Sequence, residues 1–140
     1  MAMPFFARHA LVLTGLCLPA VAGAAETCPG DHSMADHDRG KTTIIRSGSG
    51  NTATIVRHDP DGTIRLEQHG KDNATLAVQS GSGEKLAISQ SGSTAKADVS
   101  QDGACNDTEL AQAGAGNAAT VHQSGSGNRA VVRQGLQRED

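Results

Sequence analysis

Residues 112–134, QAGAGNAATVHQSGSGNRAVVRQ, hold two copies of one pattern of eleven residues. Each copy begins with Gln, has Gly two positions later and Asn five positions later, and closes on the next Gln. The phase extends through most of the chain without a slip, and a strict period predicts a repeat architecture. Its members are Gln68, Gln79, Gln90, Gln101, Gln112, Gln123 and Gln134; Gly48, Gly70, Gly81, Gly92, Gly103, Gly114 and Gly125; and Asn51, Asn73, Asn106, Asn117 and Asn128.

The units are predicted to be strands rather than helical turns. An eleven-residue period also suits a right-handed coiled coil, but the recurring glycines would break such a helix. Between the glycines, residues alternate with period two, as Ala119, Val121 and Gln123 do, and this indicates strands separated by turns. We expect nine strands of about six residues, joined by turns of about five residues. They are 41–46, 52–57, 63–68, 74–79, 85–90, 96–101, 107–112, 118–123 and 129–134.

Two successive units are expected to form one rung of an all-β, two-sheet parallel β-solenoid with cross-β character. Positions two units apart then stack, and one column in each sheet is apolar throughout. Gln lies on the same inward face, where its amides would form ladders, while Asn and Gly would shape the turns. The columns are Ile44, Leu66, Ile88, Leu110 and Val132 in one sheet, and Ile55, Ala77, Val99 and Val121 in the other.

Arg46 and Arg57 occupy the Gln phase in the first two units. An inward charge at a sheet edge opposes pairing with another strand, because stacking would remove the charge from water. We therefore expect these two residues to act as gatekeepers at the first rungs.

The composition excludes several classes of protein. The only two aromatic residues of the 140-residue chain are Phe5 and Phe6, and its net charge is -3. Such a chain cannot build a thick aromatic core or bind nucleic acid through a strongly basic surface. Disorder, a linker-like chain or a thin repetitive structure remain, and the strict phase argues against disorder.

The ends of the chain differ from the repeat. Residues 1–25 have the basic, apolar and small-residue regions of a secretory signal peptide, and the apolar run is too short to span a membrane. We expect a disordered polar leader over 26–40, the solenoid over 41–134 and a charged tail over 135–140. Removal of the signal leaves Cys28 and Cys105, an even count that permits one disulfide in an exported protein.

No catalytic, cofactor or metal site is expected. Acidic and imidazole side chains cluster in the leader, where they could hold a metal loosely, but a soluble, disordered leader is the preferred explanation. These are Asp31, His32, Asp36, His37 and Asp38. His58 and His69 lie one unit apart, so they should fall on opposite sides of the coil. The sequence has no nucleophile elbow, no phosphate loop and no CxxC.

Units 112–123 and 123–134 both fit Q-x-G-x-G-N-x-A-x-x-x-Q, and 46–57 (RSGSGNTATIVR) fits with Arg in place of both Gln. Over about 42–134 this pattern resembles the curlin repeat of bacterial curli subunits. The resemblance implies secretion by the general route, passage through the outer membrane, and assembly outside the cell into amyloid fibres for biofilm matrix, surface adhesion and cell aggregation. It implies as partners the chain itself, other curlin-like subunits and the export machinery, and neither nucleic acid nor a small-molecule substrate.

Some features depart from the curlin pattern and leave other functions open. Gly62, Glu84 and Ala95 replace Asn, the leading Ser of many curlin units is missing, and aromatic residues are absent. The chain could be the main fibre subunit, a nucleator, or a soluble β-solenoid that serves as a surface adhesin or binding module. Ice binding is disfavoured because Thr52 and Thr54 are not continued in the next unit of their column. An enzyme is disfavoured because no acid, base and nucleophile converge.

Overall fold

The computed structural model describes residues 11–14, 28 and 40–135, and these residues form ten strands and no helix. Strands β2 to β10 are the nine strands of the repeat, and β1 comes from the segment that the sequence predicts to be a signal. The rest of that segment, most of the leader with its Asp and His cluster, and the tail after Gly135 lie outside the described residues. The strands are β1 Leu11–Thr14, β2 Thr42–Ser49, β3 Thr52–Arg57, β4 Thr63–Lys71, β5 Ala74–Ser82, β6 Lys85–Ser93, β7 Lys96–Ala104, β8 Asp107–Ala115, β9 Ala118–Ser126 and β10 Arg129–Gln134.

The strands alternate between two parallel sheets. One sheet has the order β10-β8-β6-β4-β2 and the other has the order β1-β9-β7-β5-β3. Neighbouring repeat strands pair in the expected register of two units, so that Ile44 lies beside Leu66 and Leu66 beside Ile88. The predicted two-sheet parallel β-solenoid is therefore confirmed. No helix among the described residues is long and apolar enough to cross a membrane.

The strands are longer than the sequence suggested, and the prediction of six-residue strands with five-residue turns is wrong. Strands β4 to β9 each have nine residues, and only two residues separate each of them from the next strand. The ladder continues past the Gln position because the chain bends at Gly while it stays paired to the rungs above and below. Gly92, for example, has a φ of 116° and still pairs with Gly70 and Gly114.

The core is a thin layer of branched aliphatic and small side chains between the two sheets. Leu66, Val99 and Leu110 are at most 1% exposed, and burial of such a side chain contributes about 1.5–3 kcal/mol. Ile44 belongs to the same inward column but is 44% exposed, because it lies on the first rung and no rung of the repeat covers it. The apolar layer is thus incomplete at this end.

One disulfide ties the leader to the solenoid. Cys28 and Cys105 are joined, with an S–S distance of 2.06 Å across 77 residues of sequence. Cys105 lies in the turn before β8 with a φ of 58°, at the position that Gly83 and Gly127 occupy in the neighbouring rungs. Cys105 and Cys28 are both half-buried.

We predict that Gly92→Ala destabilises the solenoid by about 3 kcal/mol, measured by urea unfolding of the monomeric chain. A Cβ at position 92 would run into the carbonyl oxygen of Gly114 on the next rung, and the positive φ adds strain. Gly114→Ala is the matched control, because its φ is also positive, 90°, while no described atom lies within 4 Å of the added Cβ. The control should lose only about 1–2 kcal/mol. Equal losses would show that backbone contact between the rungs is not the constraint.

Candidate assembly site

The inward Gln side chains form two continuous amide ladders. In each step the Nε2 of one Gln donates to the Oε1 of the Gln 22 residues later, at 2.9–3.0 Å. All steps run in the same direction, so the amide nitrogens face the C-terminal end and the oxygens face the N-terminal end. One ladder is Gln68, Gln90, Gln112 and Gln134, and the other is Gln79, Gln101 and Gln123.

The ladders also join the two sheets. Gln112 Nε2 donates to the carbonyl oxygen of Lys96 on the opposite sheet at 3.1 Å, and the same contact recurs along the solenoid. The hydroxyls of Thr75 and Thr108 donate to the Oε1 of Gln90 and Gln123, at 2.8 and 2.6 Å. The sequence analysis missed these two threonines, although both are polar residues in inward columns that are mostly apolar. The Gln amides therefore hold the rungs together and the sheets together.

The Asn side chains form a second set of contacts along each turn. Asn51 Nδ2 donates to the carbonyl oxygens of Ser47 and Gly70, and its Oδ1 accepts the backbone N–H of Asn73. The same arrangement recurs at Asn73 and Asn106. Each of these three Asn thus binds its own turn and the turn of the next rung. One acceptor of the Asn side chain is the carbonyl of the stacked Gly on the next rung. The Asn and Gly positions of the repeat therefore act together in joining the turns of neighbouring rungs.

Gly62 interrupts the Asn column, and Asp59, whose role the sequence analysis missed, supplies the acceptor that the column lacks there. Gly62 has no side chain to bond to the next rung, but Asp59 is 1% exposed and its Oδ2 accepts the backbone N–H of Glu84 at 3.0 Å. The Oδ1 of Asp59 accepts the N–H of Asp61 at 2.8 Å. In the sequence, a carboxylate in an Asp-Pro turn three residues before the missing Asn indicates the turn but not its partner on the next rung.

Glu84 occupies the Asn position of the next rung and is fully buried. Its Oε1 accepts a hydrogen bond from Asn106 Nδ2 at 3.3 Å, and its Oε2 has no partner among the described residues. Burial raises the pKa of Glu84 to about 7; the hydrogen bond from Asn106 opposes the shift, and the negative charges of Asp59 and Asp102 add to it. Burial therefore favours the neutral carboxylic acid of Glu84 below about pH 7.

The Gln ladders stop at the first rung. Arg46 pairs with Gln68 and Arg57 with Gln79, but their guanidinium groups donate to turn carbonyls instead, those of Asn51 at 3.5 Å and Gly62 at 3.0 Å. The Oε1 atoms of Gln68 and Gln79 are buried, and no group in the described part of the chain donates to them. Both ladders thus end on unsatisfied acceptors.

The outer faces of the described strands carry paired charges. Asp107 lies between Lys85 and Arg129, with its Oδ2 at 3.7 Å from Arg129 Nε, and Arg133 donates to Glu109 at 3.1 Å. Such exposed pairs contribute little to stability. The described residues include no group of three or more His, Cys, Asp or Glu side chains that could hold a metal ion.

Residues 106–135 match the family model of the Curlin associated repeat. This part of the chain is similar to the curlin repeat. The match covers β8 to β10, where the Gln, Gly and Asn phases are complete. No curated protein and no solved structure matches the chain. The curlin repeat and the β-solenoid fold point to a structural protein rather than an enzyme.

The first prediction from this site concerns pH. Between its ordinary pKa of 4.5 and its folded pKa of about 7, Glu84 holds a proton that the unfolded chain releases. Stability should therefore rise as the pH falls through this window, by up to about 3 kcal/mol, and the gain should be absent above pH 7. Urea unfolding of the native chain and of Glu84→Gln, compared at each pH, isolates this contribution. A difference between them that does not change with pH would contradict the assignment.

The second prediction concerns the ladder. Gln112→Leu removes the partner of the Gln90 and Gln134 amides. Gln123→Leu removes the acceptor of the Gln101 amide and of the Thr108 hydroxyl in the other ladder. Each should lower the free energy of unfolding by about 1–3 kcal/mol for every polar group left unsatisfied. Lys96→Ala is the control, since it keeps the backbone carbonyl that Gln112 uses and removes only an exposed side chain. Comparable losses in all three variants would argue against the ladder as the main support.

Proposed function

We propose that this protein is an exported structural subunit that assembles through the ends of its solenoid into extracellular, curli-like amyloid fibres. The observation that carries the proposal is the pair of parallel sheets, which end on open strand edges with in-register amide ladders. The backbone groups of an open edge are a template for another strand, and stacked identical amides are typical of cross-β assemblies. The fibres would serve biofilm matrix, surface adhesion and cell aggregation.

The export route and partners follow from the curlin repeat and from the signal-like sequence over 1–25. A signal segment would direct the chain through the general secretory route, and an outer-membrane channel would release it at the cell surface. The disulfide between Cys28 and Cys105 suits this route, because disulfides persist outside the reducing cytosol. Other curlin-like subunits would be partners, since the same ladders can pair with any chain that carries the repeat.

A second role, as a minor or nucleating subunit, is favoured by the first rung. The C-terminal units present Gln nitrogens as donors, whereas the N-terminal units present Arg46 and Arg57, which can only donate. One end of such a chain keeps Gln at the ladder positions and the other end carries Arg there. A chain with these two different ends is better suited to start a fibre than to make up its length. A soluble adhesin remains the alternative if the processed chain stays monomeric.

The basic test is incubation of the processed chain with an amyloid dye, followed by electron microscopy. The proposal predicts unbranched fibres and a rise in dye fluorescence after a lag. A processed chain that remains a folded monomer, with no fibres and no rise in dye fluorescence, would contradict the proposal and support the soluble solenoid.

We predict that replacing Arg46 and Arg57 together by Gln shortens the lag time several-fold. The new amides would donate to the buried Oε1 atoms of Gln68 and Gln79 and would remove two charges from the edge. Arg65→Gln with Arg133→Gln is the matched control, because it removes the same charge from the outer face of the solenoid. The gatekeeper role is refuted if both double variants change the lag time equally.

A further inference from the structure

The two sheets contain unequal numbers of repeat strands. Strands β2, β4, β6, β8 and β10 form one sheet, while the other has only β3, β5, β7 and β9 from the repeat. The pattern stops after Gln134, because Leu136 and Glu139 stand in the Gly and Asn phases. Among the described residues, the last rung of the repeat is therefore half a rung, with β10 in one sheet and a position without a repeat strand opposite it.

Strand β1 occupies that open position. It pairs in parallel with β9, with Leu11 beside Ala119 and Leu13 beside Val121. This pairing shows that the edge of β9 accepts a parallel strand from a remote part of the chain. If residues 1–25 are removed on export, as the sequence predicts, the edge of β9 becomes free to pair with a strand of a second copy.

We propose that the copies join head to tail with each copy turned by about half a turn around the fibre axis, so that their sheets exchange. The β2 strand of one copy then extends the sheet that ends in β9, and its β3 extends the sheet that ends in β10. This inference rests on the proposed fibre assembly and specifies the partner, a second copy of this chain, and the joint between them.

The register of the repeat supports the half turn. Continuing the phase past nine units places Ile44 of the next copy beside Val121, and Ile55 of the next copy beside Val132. Ile44 is 44% exposed in the single chain and Ile55 is only partly buried, so both inward columns gain the cover that they lack. No position of the joint is left empty.

The Asn column supports the same arrangement. With the half turn, Asn128 lies beneath Asn51 of the next copy, as Asn106 lies beneath Asn128 within the chain. Asn106 Oδ1 accepts the backbone N–H of Asn128 at 3.1 Å, so Asn128 can offer the same bond to Asn51. Without the turn, Asn128 would face Gly40 of the next copy, which has a backbone N–H but no side-chain amide like the Asn128 Nδ2 that donates to Asn106 Oδ1 at 3.1 Å.

Two further features of the joint argue against stacking without the turn. It would place β2 of the next copy on β10 and leave half a rung empty between β9 and the next β3. It would also place Arg129 directly beside Lys41, and like charges on facing positions are unfavourable. The half turn places Arg129 beside Thr52 instead. The ladders themselves are interrupted in either case, because Gln134 meets an Arg of the next copy.

The test is helical reconstruction by electron cryomicroscopy of fibres grown from the exported, processed protein. Nine half-rungs predict a rise of about 22 Å per subunit with a rotation of about half a turn. A variant with a second copy of residues 118–128 inserted after Asn128 has ten units, and it should show a rise of about 24 Å without the half turn. Identical rotation in the two fibres would overturn the inference.

Cross-linking gives an independent measurement on native-length chains. Val131→Cys with Thr54→Cys places the two thiols on neighbouring strands across a half-turn joint, whereas Val131→Cys with Thr43→Cys does so only without the turn. A short bismaleimide should link copies into ladders on a denaturing gel for the first pair alone. Linking of the second pair alone overturns the half turn and leaves fibre assembly standing. Absence of any fibres overturns the proposed function and this inference together.

Discussion

A buried side-chain amide has to find its hydrogen-bond partners inside the protein, and each Gln of the two ladders is bonded to at least one Gln one rung away. That requirement sets the register at two units. A slip of one residue would turn every Gln outward, and a slip of one unit would place it against the other sheet. The core is too thin and too poor in large side chains to impose a register by packing alone. The amide ladder therefore determines where everything else stacks.

The turns follow from this register. Once the Gln positions are aligned, Gly stacks on Gly, where a side chain would strike the next carbonyl, and Asn stacks where its amide reaches that same carbonyl. Asp59 and Glu84 show how much variation the arrangement accepts. Asp59 supplies from a different position the acceptor that Gly62 lacks, and Glu84 fits the Asn site at the expense of a raised pKa. The direction of the ladders then gives the solenoid two chemically different ends.

The two-sheet architecture was predictable from the sequence because the polar residues of the repeat keep the same strict spacing as the apolar residues. The phase of Gln68 to Gln134 indicated the inward face, and the columns through Leu66 and Val99 indicated two parallel sheets. The length of the turns was not predictable, since pairing through Gly92 depends on a backbone bend that its neighbours across the rungs stabilise. Asp59, Thr75 and Thr108 were missed for a related reason. Their roles depend on contacts 15 to 25 residues away in sequence, which no local pattern reveals.

The central claim is that in-register Gln amides hold the rungs together in the assembled protein. Solid-state NMR of fibres grown from chains labelled with 15N at the Gln side-chain amides and 13C at the Gln side-chain carbonyls tests it most directly. The account predicts through-space contacts between amides two units apart, such as Gln90 with Gln112 and Gln101 with Gln123, and protection of these amides from solvent exchange. Contacts between amides one unit apart, or amides that exchange freely with water, would contradict it.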